Sequence, residues 1–554
     1  MVKVKLAGIN VPIKILDYLN DLAYSLKEMP FSDEKKIKYA SERLQKMIEM
    51  FGPEGLAAGY ARISRKPEDV NQLVDEAISD VAAARKSNES IIFGMGHHSV
   101  ADHALFNFNI TNVSRLAVES IEKRRIGVGY TEKSQRYIKL GSDLSDIVEP
   151  KEFSRTDLAK FKELASRQIA FYVEAYDKLN EFLQKKNSEK LSKLEGKDKS
   201  DFLKALEGMA KEDARFGVCL GVKAQLGCSY NGEALEHAIR TLKYGRLEED
   251  KEIARQLFAE TNRFAPSLIQ LTDPEVFRKH NPGQELIDDN FRHTENNLRN
   301  LVEKTFMKNK KDVMYGVMPR GVVGLLRAAI GYFHKDKDVT MLMSGNIDTN
   351  IVTALLHEYS SASIEECHEM AYNLINKGKG KAFVDEALKY LSAYDKAPRA
   401  FEMSNGMMFE AKISSSGFAQ LKRHRMMTLL GQDYNPELGI TVPPNIDEAG
   451  LEKELKSVAG MSEDLYSEFK DKYGKAAEYC LTNAHRRRTL VGINMRQLYH
   501  FSRTREDKHA QWEIRGIANS MSKLAKEEAP LTTRLLGGQD QFLKIRESVY
   551  DNKK

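Results

Sequence analysis

The chain repeats itself, and nothing else in the sequence constrains its fold as strongly. Residues 104–113, ALFNFNITNV, alternate apolar and polar with Phe106, Phe108 and Ile110 on one face, which is the period of a half-buried strand. SRLAVESIEKRR follows with helical spacing at Leu116, Ala117, Ser120 and Ile121 and ends in Lys123-Arg124-Arg125. Three hundred residues later MFEAKI (408–413) alternates again through Phe409, Ala411 and Ile413, and SSSGFAQLKRHR ends in Arg423-His424-Arg425. A second pair lies downstream of each. GVKAQLGCSYNGEALEHAIRTL (221–242) precedes EEDKEIARQLFAETNRFAP, and TLVGINMRQLYHFSRTR (489–505) precedes EDKHAQWEIRGIANSMSKLAKEEAP. Pro266 and Pro530 stop these last helices, because proline lacks the backbone donor and clashes with the preceding turn.

Order and pattern agree in both places, so the sequence predicts two diverged copies of one α/β unit. The expected layout is an N-terminal helical extension (1–50), a first copy (51–275), a polar, proline-containing connector (276–335) and a second copy (336–554). KKNSEKLSKLEGKDKSD (185–201) is charged and poor in apolar residues, which predicts an exposed loop or hairpin tip. The fold class is α+β.

Charge and cysteine usage narrow the function. A net charge of +5 on 85 basic and 80 acidic residues lacks the basic excess of a nucleic-acid scaffold, so no stable nucleic-acid partner is expected. Four cysteines without C-x-x-C spacing predict reduced thiols, with neither a disulfide framework nor a metal site. No apolar run approaches ~18 residues and MVKVKLAGIN lacks a signal peptide's apolar core, so no membrane association and a cytoplasmic location are expected. No G-x-G-x-x-G loop follows a strand, which gives no support to a Rossmann oxidoreductase.

Two motifs carry chemistry. In TEKSQRYIKL, Glu132, Ser134 and Arg136 alternate and would face one way on an extended segment. A hydroxyl beside a guanidinium suits a phosphate or carboxylate, and Glu132 could accept from a ribose hydroxyl or a base N–H; an alternating charged strand is also what a solvated face looks like. In NMRQLYHFSRTR, Asn494, Leu498, Phe501 and Arg505 share one helical face, as a flat mixed ligand or an ordinary amphipathic helix would require.

Together GHHSVADHALFNFNI, VSRLAVESIEKRR, IGVGYTEKSQRY, QLKRHR and NMRQLYHFSRTREDKHAQWEI resemble the flavin-dependent thymidylate synthases, with HAQWEI in register as a specific match. The resemblance implies the family's fold, an antiparallel sheet flanked by helices, present here as two tandem diverged copies. Each copy keeps what the other has lost. The family's nucleotide and flavin ligands around Arg-His-Arg survive as Gln420, Arg423, His424 and Arg425, whereas the first copy has Ser120, Lys123, Arg124 and Arg125 there. The deoxyuridylate-binding run survives as Glu132, Ser134, Arg136 and Tyr137, opposite GQDYNPELG in the second copy. The phosphate-binding Arg is Arg215 and falls on Glu478; the Arg facing the pyrimidine is Arg505 and falls on Leu242. The His over the flavin matches His97, opposite Asp395, and Asn494 and Asn231 both keep a flavin-contacting position.

The resemblance therefore implies one complete type of site assembled from both copies. Glu132, Ser134, Arg136, Arg215, Gln420, Arg423 and Arg505 would bind a dUMP-like pyrimidine nucleotide, with Arg505 and Arg423 catalytic. His97, Ser99, Arg423, His424, Arg425, Asn494, Arg496 and His500 would bind FAD. It further implies NADPH and methylenetetrahydrofolate as co-substrates, methylation of dUMP to dTMP, and a homodimer resembling the family's tetramer. IGVGYTE carries one residue more than the family's spacer, Thr131 stands for the usual Asn, and Gly127 and Gly129 suggest a permissive loop. Another pyrimidine substrate, a flavin-binding relative without turnover and a non-catalytic nucleotide- or RNA-binding protein are the alternatives.

Overall fold

A computed structural model describes residues 1–30, 32–50, 52–94, 97–123, 126–134, 138–273, 275, 333–335, 337–342, 346–358, 363–388, 397–404 and 406–550. The chain divides into two compact units. The first comprises Met1–Ile169, Cys219–Lys310 and Leu465–Cys480, and the second Ala170–Val218, Lys311–Asp464 and Leu481–Lys554.

The first unit is built on an antiparallel sheet of four strands, β1 (Lys3–Ile9), β2 (Leu105–Ser114), β3 (Val128–Glu132) and β4 (Lys223–Asn231), in the order β1-β2-β4-β3. Phe106, Phe108 and Ile110 are buried and lie opposite Tyr230, Cys228 and Leu226, while Asn107 and Asn109 point to solvent. The alternation read from the sequence is thus the two faces of β2. A bulge follows at Asn112, whose φ of 57° is one that asparagine tolerates better than most residues. Val113 and Ser114 are both buried past it, and the Ser114 hydroxyl caps helix Arg115–Ile121 by accepting the Ala117 N–H.

In the second unit, β5 (Phe333–Lys335), β6 (Val339–Leu342), β7 (Met407–Ser414), β8 (Thr428–Gly431) and β9 (Arg486–Ile493) form an antiparallel sheet ordered β5-β6-β7-β9-β8. Strands β6-β7-β9-β8 repeat β1-β2-β4-β3 position for position. Ser414 again ends its strand and caps helix Ser415–Leu421 through the Gly417 N–H. The core beneath this sheet gathers Phe409, Ile413, Val491, Leu498 and Phe501 with Ile514, Ala518 and Met521 of helix Trp512–Glu528.

Two expectations change. The N-terminal segment is helical only over Ile13–Glu28 and Asp33–Met50; its first residues form β1, at the place in the sheet order that β6 holds in the second sheet. VKVKLAGI carries the alternation of a strand, but the inserted helices separate it from β2 by nearly a hundred residues and hide the pairing. The sequence copies are also not the compact units. Residues 170–218 of the first copy belong to the second unit, and residues 465–480 of the second copy belong to the first. In the first unit Phe153 packs edge-on against Phe469 and Tyr479, and Gln168 donates to the Cys480 carbonyl at 3.1 Å. In the second unit Phe216 stacks on Trp512, and Asp213 accepts from the Trp512 indole at 3.1 Å and from Asn445 at 2.7 Å. The charged stretch 185–201 is an exposed helical connection made of the end of helix Arg155–Lys186, the short helix Ser188–Ser192 and the start of helix Gly196–Ala214.

Candidate functional site

The strongest constellation lies in the second unit. Ser414 sits at the end of β7 with its N–H donating to buried Glu513 at 2.9 Å, and the Ser414 hydroxyl and Thr441 donate to the same carboxylate. Burial holds the Glu513 carboxyl above its ordinary range. This anchor fixes helix Ser415–Leu421, whose last turn carries Gln420, and the following turn carries Arg423, His424 and Arg425. Arg505 ends helix Met495–Arg505, where Leu498 and Phe501 point into the core and leave Arg505 at the rim. Its Nε–H donates to His424 Nε2 at 2.8 Å and its Nη1 donates to Gln420 Oε1 at 3.1 Å. His424 is buried edge-to-face on Phe501 at 4.8 Å and beside the His500 ring at 5.8 Å. The Arg-His-Arg turn and the late arginine, far apart in sequence, meet.

Arg423 and Arg425 are exposed and make no hydrogen bond or ion pair among the described residues. A guanidinium pair on an exposed turn next to a half-buried one is an arrangement that receives anions. Arg215, from the first copy, is buried in this same unit, where its backbone carbonyl accepts from Asn483 at 3.3 Å and its guanidinium lies 5.8 Å from the Tyr172 ring. Two of the residues assigned to flavin have structural partners. Asn494 caps its helix by accepting the Gln497 N–H at 2.8 Å, and Arg496 donates to the Ala397 carbonyl at 2.8 Å and to Glu402 at 2.6 Å. Asn231 caps its own helix in the same way through Ala234.

In the first unit, Glu132 is engaged rather than open. Its side chain is 3 % exposed and accepts from Arg115 at 2.9 Å, and Arg115 itself is 5 % exposed. The alternating segment ends as a strand at Glu132, with Ser134 just beyond it, while Arg136 and Tyr137 lie outside the described residues, as do Arg124, Arg125 and Asp395. The expectation of a permissive spacer holds for one glycine. Gly127 has φ +74° and a Cβ there would sit 2.6 Å from Asn231, whereas Gly129 is paired in β3 with Ser229. His97 and Ser99 line a cavity of about 250 Å³ together with Tyr60, Ser64, Arg65 and His103. Sequence reasoning missed the last four; the signal available was ARISRK, a hydroxyl and two cations on the turn after helix Pro53–Arg62.

The matching positions of the first unit have been rebuilt. Leu242, in place of Arg505, is buried in the core, and Ser120, in place of Gln420, donates to Asp250 at 3.3 Å. Burial and the neighbouring Glu249 push the Asp250 carboxyl up to about 7 against the Ser120 hydrogen bond. Glu478, in place of Arg215, is buried in this unit and accepts from Lys475 at 2.5 Å. Arg505 is thus matched by an alkyl side chain and Arg215 by a carboxylate. All four cysteines are buried, and burial pushes the Cys219 and Cys228 thiols up to about 12. Such thiols are not nucleophiles at neutral pH. Among the described residues no group of three acidic, His or Cys side chains is arranged to hold a metal, and no helix is long and apolar enough to cross a membrane.

Comparison with known proteins finds relatives of both copies. The sequence model of the thymidylate synthase complementing protein family matches residues 46–267 and 341–531, one segment in each copy. A UPF0159 protein of Thermoplasma acidophilum is 22% identical over 463 residues, 79% of this chain and 86% of that protein. A UPF0159 protein of Chlamydia muridarum is 20% identical over 450 residues, covering 78% of this chain and 77% of its own. A flavin-dependent thymidylate synthase of Clostridium tetani is 24% identical over 232 residues, which is 86% of that protein but only 42% of this chain. Two matched segments covering most of the chain, on two sheets of one strand order, place the protein in the thymidylate synthase complementing protein family as a tandem, diverged duplication.

Proposed function

We infer that the protein is a flavin-dependent thymidylate synthase-like enzyme that methylates dUMP to dTMP, with one type of nucleotide site drawing residues from both copies. The observation that carries this is the joining of Arg505 to Gln420 and His424 in the same compact unit that holds Arg215 of the other copy. Arg505 would stabilise negative charge on the pyrimidine ring as C5 becomes nucleophilic, and its fixed positive charge needs no proton transfer to do so. Arg215 would hold the nucleotide phosphate, and the family resemblance assigns Ser134 and Arg136 to that phosphate as well. Glu132, tied to Arg115, would orient this run rather than touch the nucleotide.

The residues present suit FAD. In the second unit exposed Arg423 and Arg425 offer charge and His424 lies 5.8 Å from the His500 ring; in the first unit the cavity of His97, Ser99, Ser64 and Arg65 offers hydroxyl and cationic donors fit for a pyrophosphate. FAD reduced by NADPH would supply the hydride chemistry and methylenetetrahydrofolate the carbon. The protein's part is orientation and charge, and the inert buried thiols leave no covalent role for cysteine.

The test begins with colour. The purified chain should be yellow and take up FAD; a colourless protein that binds none overturns the enzyme assignment. Binding of dUMP to Arg136→Ala and Arg423→Ala then decides the site. Each change alone should abolish binding, and retention of half the sites in either variant would refute a single composite type. The chain should act as a homodimer, measured by light scattering.

A further inference from the structure

We propose that His424 is the positioning residue for Arg505, and that it does this work only as the neutral imidazole with its proton on Nδ1. The proposal rests on the assignment of Arg505 to the pyrimidine made above. Its basis is the direction of one hydrogen bond. Arg505 Nε always carries a proton and cannot accept, so the 2.8 Å contact with His424 Nε2 requires a lone pair on that nitrogen. Gln420 Oε1 accepts from Nη1 at 3.1 Å. Held at two separate nitrogens, the planar guanidinium has both its position and its plane defined. Neither acceptor is itself mobile: Gln420 and His424 are 8% and 5% exposed, and the imidazole is wedged edge-on against Phe501.

Protonation of His424 would turn the contact into N–H facing N–H and add a second positive charge beside the guanidinium. Among the described residues, the ring has Arg505 and His500 of helix Met495–Arg505 against it and Lys422, Arg423 and Arg425 on its own turn. These named neighbours are basic, so an imidazolium would add to their positive charge. Arg505 would then swing off the position from which it meets the pyrimidine. The first copy makes the same point in reverse, because it lacks the pair altogether: Arg124 stands at the position of His424 and Leu242 at that of Arg505.

Two measurements test this. In the full chain labelled with 15N-histidine and free of nucleotide, His424 should show the Nδ1–H tautomer at about pH 8, and Arg505→Ala should move its signals. An Nε2–H tautomer overturns the proposal. The second measurement is dUMP affinity from about pH 8 to about pH 5.5 in three proteins. Wild type should lose roughly tenfold or more on acidification, the scale of one charge-assisted bond. His424→Gln, whose amide oxygen reaches about as far as Nε2, should keep most of the affinity at pH 8 and lose far less on acidification. His424→Asn, whose amide reaches only as far as Nδ1, should bind roughly tenfold more weakly across the whole range. Equal loss in Gln and Asn variants would mean that the ring only fills space, and would refute positioning. If wild type binds no dUMP at any pH, the nucleotide assignment fails, and the tautomer measurement still decides the His424–Arg505 pairing by itself.

Discussion

Asp250 offers the sharpest quantitative check, because its carboxyl is buried against Ser120, the residue at the position of Gln420. The carboxyl is buried at the start of helix Glu248–Asn262, with the Ser120 hydroxyl at 3.3 Å and half-buried Glu249 beside it in sequence. In the folded chain it titrates at about 7, against an ordinary 3.8, and burial is the main cause. Below pH 3.8 both folded and unfolded chains carry the proton and nothing is lost. Between 3.8 and 7 the unfolded chain has released it while the folded chain keeps it, so stability falls by about 1.4 kcal/mol per pH unit. Above 7 the loss is complete, at about 4 kcal/mol. Asp250→Asn keeps the shape and an acceptor for Ser120 but has no proton to lose. The substitution should leave local stability nearly unchanged at about pH 4 and raise it by up to about 4 kcal/mol at about pH 8. Hydrogen exchange of helix Glu248–Asn262, compared between the two proteins at each pH, reads this difference without assuming that the whole chain unfolds in one step. Identical pH dependence in both proteins, or a destabilised variant at pH 8, would refute the buried-acid explanation.

Two further outcomes follow from the exchanged segments and the thiols. Trp512 is the single tryptophan of the chain and stacks on Phe216 of the first copy, so Phe216→Ala should shift its emission to the red; an unchanged spectrum would mean that residues 170–218 do not pack there. The four buried cysteines should resist a thiol reagent in the native protein at pH 8 and all react after unfolding, since burial keeps Cys219 and Cys228 protonated to about 12. Rapid labelling of any one of them in the native state would contradict their burial.

Much of this molecule was legible before its structure. Strand alternation at Phe106–Ile110 and Phe409–Ile413 depends only on a period of two with one face buried, and the same residues are the inward faces of β2 and β7. The caps at Ser114 and Ser414 and the helix stops before Pro266 and Pro530 are equally local. The family match of Gln420, His424 and Arg505 was also readable, because those residue types recur in a recognisable order.

What lay out of reach depends on partners distant in sequence. That β1 is the missing fourth strand follows from its ladder with β2, not from anything within residues 3–9. The alternation that carries Glu132 gives no sign of its bond to Arg115, seventeen residues earlier. Arg496 and Asn494 looked like flavin ligands, yet one is tied to Ala397 and Glu402 and the other caps a helix. A side chain's chemistry is written in the sequence, but whether its hydrogen-bonding groups are already spent is decided by the neighbours that folding supplies. The sequence by itself determined that there are two diverged copies in tandem. Only the tertiary structure decided that residues 170–218 leave their own copy for the second unit, carrying Arg215 into the unit of Arg505. That exchange is a matter of packing, as Phe216 finds Trp512 and Asp213 finds Asn445, and no local pattern in either segment announces it.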